Sequence, residues 1–115
     1  MRYVVGIDFD GVIHRYSMGD MGDDIYDIPT SGASESLRRY IQIFDVQIVS
    51  ARAATSVGQE KIHQWMKKHD LPPLPCSDKK PGGELLVMID DRAFEFRGVF
   101  PSTEELLNFK PWWKK

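Results

Sequence analysis

Asp8 and Asp10 close the apolar run VVGIDFDGVI (residues 4–13), two positions apart and so on one side of an extended chain. Carboxylates that close oppose each other's ionisation unless a cation lies beside them. Polar residues follow two later apolar runs in the same way. Ser50, with Ala51 and Arg52 behind it, ends the run in QIVSAR, and Asp90 with Asp91 ends the run in VMIDDR. Lys80 stands in DKKPGG, ten residues before Asp90. A carboxylate nucleophile, an acid–base partner, oxygen ligands and donors for anionic oxygens are what phosphoryl transfer needs. An all-oxygen ligand set suits Mg²⁺, whereas Zn²⁺ calls for His or Cys. The histidines are scattered, and His63 and His69 do not share a helical face. Cys76 does not open a C-x₅-R phosphatase loop, because the sixth residue beyond it is Gly82; it reads as a small buried filler.

For these residues to meet, the chain must carry them at one edge. The near-continuous apolar runs 3–9, 46–50 and 85–90 predict strands covered on both faces, as in a parallel sheet. Residues 94–100 (FEFRGVF) are a candidate edge strand, and the end of 71–77 (LPPLPCS) a brief one. Helical spacing of Ala33, Leu37, Tyr40, Ile41 and Phe44 predicts a first helix, capped by Thr30 or Ser31. Ile62, Trp65 and Met66 define a second, opened by a Ser56–Gln59 capping box, and a Ser102–Glu105 box after Pro101 opens a short third. Residues 14–32, rich in Gly and Asp, form a long loop of the kind that carries function, and His14, Arg15 and Tyr16 are candidates for a substrate entrance. Alternating strands and helices give an α/β fold: a three-layer, Rossmann-like domain with a mainly parallel sheet. Ligand crevices of such sheets lie outside the carboxyl ends of the strands, where Asp8, Asp10, Ser50, Asp90 and Asp91 all fall.

With 115 residues, the chain reads as a single domain, 1–115. A net charge of −2 gives no general attraction to nucleic acid or anionic membranes. No apolar run approaches a membrane span and the amino-terminal residues do not read as a signal peptide. A single cysteine fits a reducing compartment, so the expectation is a cytoplasmic protein. Trp112 and Trp113 read as cover for the sheet or a partner surface rather than as a stacking platform for a base.

The order of these motifs resembles the haloacid dehalogenase (HAD) superfamily. DFDGV (8–12) is similar to its first motif, the run ending at Ser50 to its second, Lys80 to its third and Asp90-Asp91 to its fourth. Lys80 is preferred to Lys79 because the following Pro81 fits the family pattern. The DDR of residues 90–92 also resembles HAD-type phosphatases acting on polynucleotide 3′ ends. The resemblance implies a Mg²⁺-dependent phosphomonoesterase in which Asp8 forms an aspartyl-phosphate. Asp10 would act as acid, then base, which calls for a raised pKa. Asp8, Asp10 through its backbone carbonyl, and Asp90 would hold Mg²⁺, with Asp91 bound through water or orienting a ligand. Ser50, the amides near it at Ala51 and Arg52, and Lys80 would hold the phosphate. Neither segment between motifs can contain a folded cap domain, so the chain resembles a capless member. Its open rim would admit bulky phosphorylated substrates, macromolecular or nucleotide, unless a second copy in a homo-oligomer covers it. Two other readings are a Mg²⁺-binding module without turnover and a receiver-type phosphoacceptor domain with Lys110-Pro111. The receiver ranks low, because its phosphorylated aspartate ends a middle strand and this middle strand ends at Ser50.

Overall fold

The computed structural model describes residues 2–114. Four strands, β1 (Val4–Asp8), β2 (Asp45–Val49), β3 (Cys76–Ser77) and β4 (Leu85–Ile89), form a parallel sheet in the order β3-β2-β1-β4. The three longer strands coincide with the apolar runs to within a residue at either end, and β3 is the brief strand after the proline-rich stretch. Parallel neighbours need a crossover. Helix α1 (Ala33–Tyr40) joins β1 to β2, and α2 (Ser56–Lys68) joins β2 to β3. Ile7 and Phe9, Val46 and Ile48 of β2, Leu37 of α1 and Ile62, Trp65 and Met66 of α2 belong to one buried cluster. Both helices therefore cover the same face.

The other face differs from expectation. The link from β3 to β4, residues 78–84, is too short for a helix and contains Pro81, Gly82 and Gly83. It crosses so close to the sheet that a Cβ on Gly6 would meet Met88 Sδ and Pro81 Cγ. Helix α3 (Thr103–Leu107) buries no residue. The anticipated three-layer sandwich is thus reduced to a sheet with packed helices on one face and an extended strap on the other. Leu86 and Val87 of edge strand β4 remain half-exposed.

Three local expectations are also corrected. Residues 94–100 form no strand, and Gly98 at φ 93° interrupts the extended run. Helix α1 begins after Gly32, whose φ of 83° suits glycine, and no side chain caps it. Helix α2 is capped by Thr55, which accepts the Gly58 amide at 3.0 Å, while Gln59 Nε2 donates to the Ala53 carbonyl at 2.9 Å. The Ser102–Glu105 capping box of α3 is present as expected. Among the described residues, no helix is long and apolar enough to cross a membrane.

Candidate metal and phosphate site

Register brings the acidic residues together. Ile7 of β1 pairs with Ile89 of β4, so Asp8 and Asp90 leave adjacent strands at the same level, with Asp91 next to them. Carboxylate oxygens of Asp8, Asp90 and Asp91 lie within 4.8 Å of one another. Gly11, at φ 82°, permits the approach: a Cβ there would meet Asp91 Oδ2 and the Trp113 indole nitrogen. Asp90 folds its own turn by accepting the Arg92 amide at 2.8 Å.

Three carboxylates this close cannot all ionise cheaply. Burial, a hydrogen bond with Asp91 and the charges of Asp90 and Asp91 push the Asp8 carboxyl up to about 8, against the lowering effect of the Phe9 amide. A divalent cation would remove that conflict, and the donor set, all hard oxygen on a rim, fits Mg²⁺ better than a softer metal.

Asp10 faces the other way. The carbonyl of Phe9 accepts the amides of Val12, Ile13 and His14 at 3.2, 3.0 and 2.9 Å, winding the chain into a tight turn. That turn returns a fully buried His14 against Asp10, with Nδ1 2.8 Å from Asp10 Oδ1. The Asp27 amide donates to His14 Nε2 at 3.0 Å, so the ring proton sits on Nδ1 and is donated to Asp10. Arg52 Nε donates to Asp10 Oδ2 at 2.7 Å, and its Nη1 reaches the Asp23 carbonyl at 2.9 Å. Burial pushes the Asp10 carboxyl up, but the hydrogen bonds from His14 and Arg52, with the Arg52 charge, hold it below the usual range. The raised pKa expected of Asp10 is therefore corrected: both oxygens already have donors.

The remaining candidates are divided. Ser50 is buried beyond β2, and its hydroxyl accepts the Arg52 amide at 3.2 Å, capping a single 3₁₀ turn over Ala51–Ala54. Ala51 is exposed and, with Arg52 and Lys61, lines a cavity of about 300 Å³ under the 14–32 loop. The Arg52 amide stays beside Ser50, while its Nε and Nη1 tie Asp10 to that loop. Lys80 and Lys79 are exposed, and neither makes an ion pair among the described residues.

Two partners of the site were given other places in the sequence reading. His14, read as an entrance residue, is the buried partner of Asp10; its position four residues after Asp10 was the available signal. Trp112 and Trp113 reach the rim. Trp113 Nε1 donates to Asp91 Oδ2 and Trp112 Nε1 to the Gly11 carbonyl, each at 2.6 Å. Nothing local in KPWWKK signals contacts that span 22 and 101 residues.

Compared with protein-family models, curated proteins and solved structures, the chain matches none.

Proposed function

We propose that this protein is a Mg²⁺-dependent phosphomonoesterase of HAD type that works through a phosphorylated Asp8. The observation that carries the reading is the convergence of Asp8, Asp90 and Asp91 at the carboxyl ends of adjacent parallel strands. The order of the four motifs along the chain supports it. Asp8, Asp90 and Asp91 would hold the cation, and when bound it supplies charge neutralisation for the carboxylates and for phosphoryl oxygens.

Asp8 is the nucleophile: one carboxylate oxygen bonds to phosphorus as the bond to the ester oxygen breaks. The leaving oxygen departs with the bonding electron pair and takes its proton from solvent water. Water then attacks phosphorus, releasing Asp8 and inorganic phosphate. Asp10, kept ionised by its hydrogen bonds from His14 and Arg52, would take the proton from that water. An ionised Asp10 has no proton to give the leaving oxygen, which favours esters whose leaving group needs little protonation. Ser50 retains a hydroxyl proton for a phosphate oxygen, and amides of the 3₁₀ turn lie beside it.

The test is hydrolysis of p-nitrophenyl phosphate in Mg²⁺ and in EDTA, by wild type and Asp8→Asn. Mg²⁺-dependent turnover that Asp8→Asn abolishes is expected; equal turnover in Asp8→Asn removes the nucleophile. A second reading, a Mg²⁺-binding module without turnover, is favoured by the doubly engaged Asp10 and the unpaired Lys80. It would give Mg²⁺-dependent stabilisation with no hydrolysis on a broad panel of phosphate esters.

A further inference from the structure

Beside the acidic cluster, and sharing a wall with it, lies an open cavity of about 740 Å³ lined by Arg15, Ser17, Met18, Trp112, Trp113 and Lys114. Its chemistry is unlike that of the rim: two indoles and a thioether make apolar walls, two cations stand among them, and among the described residues no carboxylate side chain lines it. The indoles are held in place by their edges. Trp112 is fastened to the Gly11 carbonyl and Trp113 to Asp91, and Trp113 also packs edge-on against Tyr16 at 5.1 Å and under the Arg92 guanidinium at 5.3 Å. Trp112 nevertheless leaves 58 % of its surface exposed, although an indole that large gains most by being covered. Tyr16, between the lining residues Arg15 and Ser17 in the chain, adopts φ 61°, a conformation that a non-glycine residue holds at a cost of about 1–3 kcal/mol and that clusters at ligand-binding positions.

We infer that this cavity binds a planar aromatic group carrying an anionic substituent, stacked on Trp112 with its anion held by Arg15 and Lys114. Stacking on a fixed indole is tolerant of ring identity, because every such ring offers a π face. The cations add charge complementarity and exclude neutral or cationic rings of the same shape. Resting on the phosphatase reading, the inference makes the cavity the subsite for the substrate's ring, whose phosphate would stand between the two cations and the acidic cluster. Trp113 has its Nε1 edge on Asp91 and its ring on the cavity wall, so a phosphoryl group at Asp8 would direct its ester substituent past that indole.

Isothermal titration calorimetry of the full chain in EDTA isolates binding from turnover. Adenosine 5′-monophosphate and phenyl phosphate are the aromatic anions; ribose 5-phosphate, inorganic phosphate and adenosine each lack one half of the recognised chemistry. The aromatic anions should bind about tenfold or more tighter than any control, as expected for one stacked ring. Tighter binding of adenosine 5′-monophosphate than phenyl phosphate would identify a nucleotide; equal binding would identify aryl anions generally. Trp112→Leu should weaken both about tenfold, while Trp112→Phe, which keeps a ring, should retain most of the affinity. Arg15→Gln and Lys114→Gln should each weaken binding severalfold, more at low salt than at high. Ring-free phosphates that bind as well as the aromatic ones, or a Trp112→Leu variant that is folded and unimpaired, would overturn the inference. In Mg²⁺, Trp112→Leu should raise KM for p-nitrophenyl phosphate several times more than it changes KM for glycerol phosphate. Turnover without that difference overturns the subsite and leaves the phosphatase standing. Aromatic-anion binding in EDTA without turnover does the reverse.

Discussion

Replacing Asp8 by Asn should make the metal-free protein more stable, and more so as the pH rises. Asp8 is held up to about 8 from an ordinary 3.8, first by burial and then by Asp91 and Asp90. The folded chain binds this proton more tightly than the unfolded chain does. Between pH ~4 and pH ~8 the folded state therefore carries the extra proton, and stability falls as pH rises through that window. At about 1.4 kcal/mol per pH unit, the full window would be worth roughly 5–6 kcal/mol. Partial exposure of Asp8 and the sharing of its proton with Asp91 reduce this to about 2–3 kcal/mol after solvent screening. Asn keeps an oxygen for the Phe9 amide, which now donates to Asp8 Oδ1 at 2.8 Å, and removes the charge. Urea unfolding of wild type and Asp8→Asn, in EDTA from about pH 5 to about pH 9, measures the difference as a shift in midpoint at constant m. Asp8→Asn should lead by about 2–3 kcal/mol at pH ~8, with the gap narrowing towards pH ~5. Mg²⁺ should stabilise wild type more than the variant, because binding to the folded state alone adds stability by mass action. A variant less stable than wild type in EDTA at pH ~8, or a gap that ignores pH, would refute the account of the acidic cluster.

Two further substitutions test the supports of the site. His14→Leu removes the donor to Asp10 Oδ1 and should lower kcat for p-nitrophenyl phosphate about ten- to a hundredfold with little change in KM, the scale seen for groups that orient a site's ligands. His14→Asn, with an amide N–H near the position of Nδ1, should recover much of that loss, and equal impairment of both variants would end the assignment. Gly11→Ala places a Cβ against Asp91 and the Trp113 indole at φ 82°, and should cost about 2 kcal/mol in urea unfolding. It should also abolish the thermal shift produced by Mg²⁺; an unchanged shift would mean that Asp91 does not depend on this close approach.

The sheet was legible because its strands are apolar runs, and a parallel sheet has few other ways to use VVGID, DVQIV and LLVMI. The rim positions followed from the same logic, since a residue at the end of a strand takes its place from its neighbour's register. Caps were less legible. Thr55 and Ser56 are both capping residue types, and only the turn after Ser50 decides between them. The missing layer escaped because composition counts apolar residues without saying whether a link is long enough to hold a helix; seven residues from Asp78 to Glu84 are not. His14 and the tryptophans escaped for opposite reasons. The first depends on a local turn that packs three amides onto one carbonyl, the second on contacts between the two ends of the chain.

The rim is bordered by residues 14–32 and by residues 111–114, and both are tied to the residues they border. Arg52 and His14 each hold Asp10 with one face and the loop with the other, through the Asp23 carbonyl and the Asp27 amide. Trp113 holds Asp91 and Trp112 holds Gly11. Movement of either border must therefore disturb a carboxylate of the candidate site, since the hydrogen bonds that fix the border are the same ones that fix the acid. The borders are part of the site's construction, and a ligand that orders one of them also orders the carboxylate to which it is bonded.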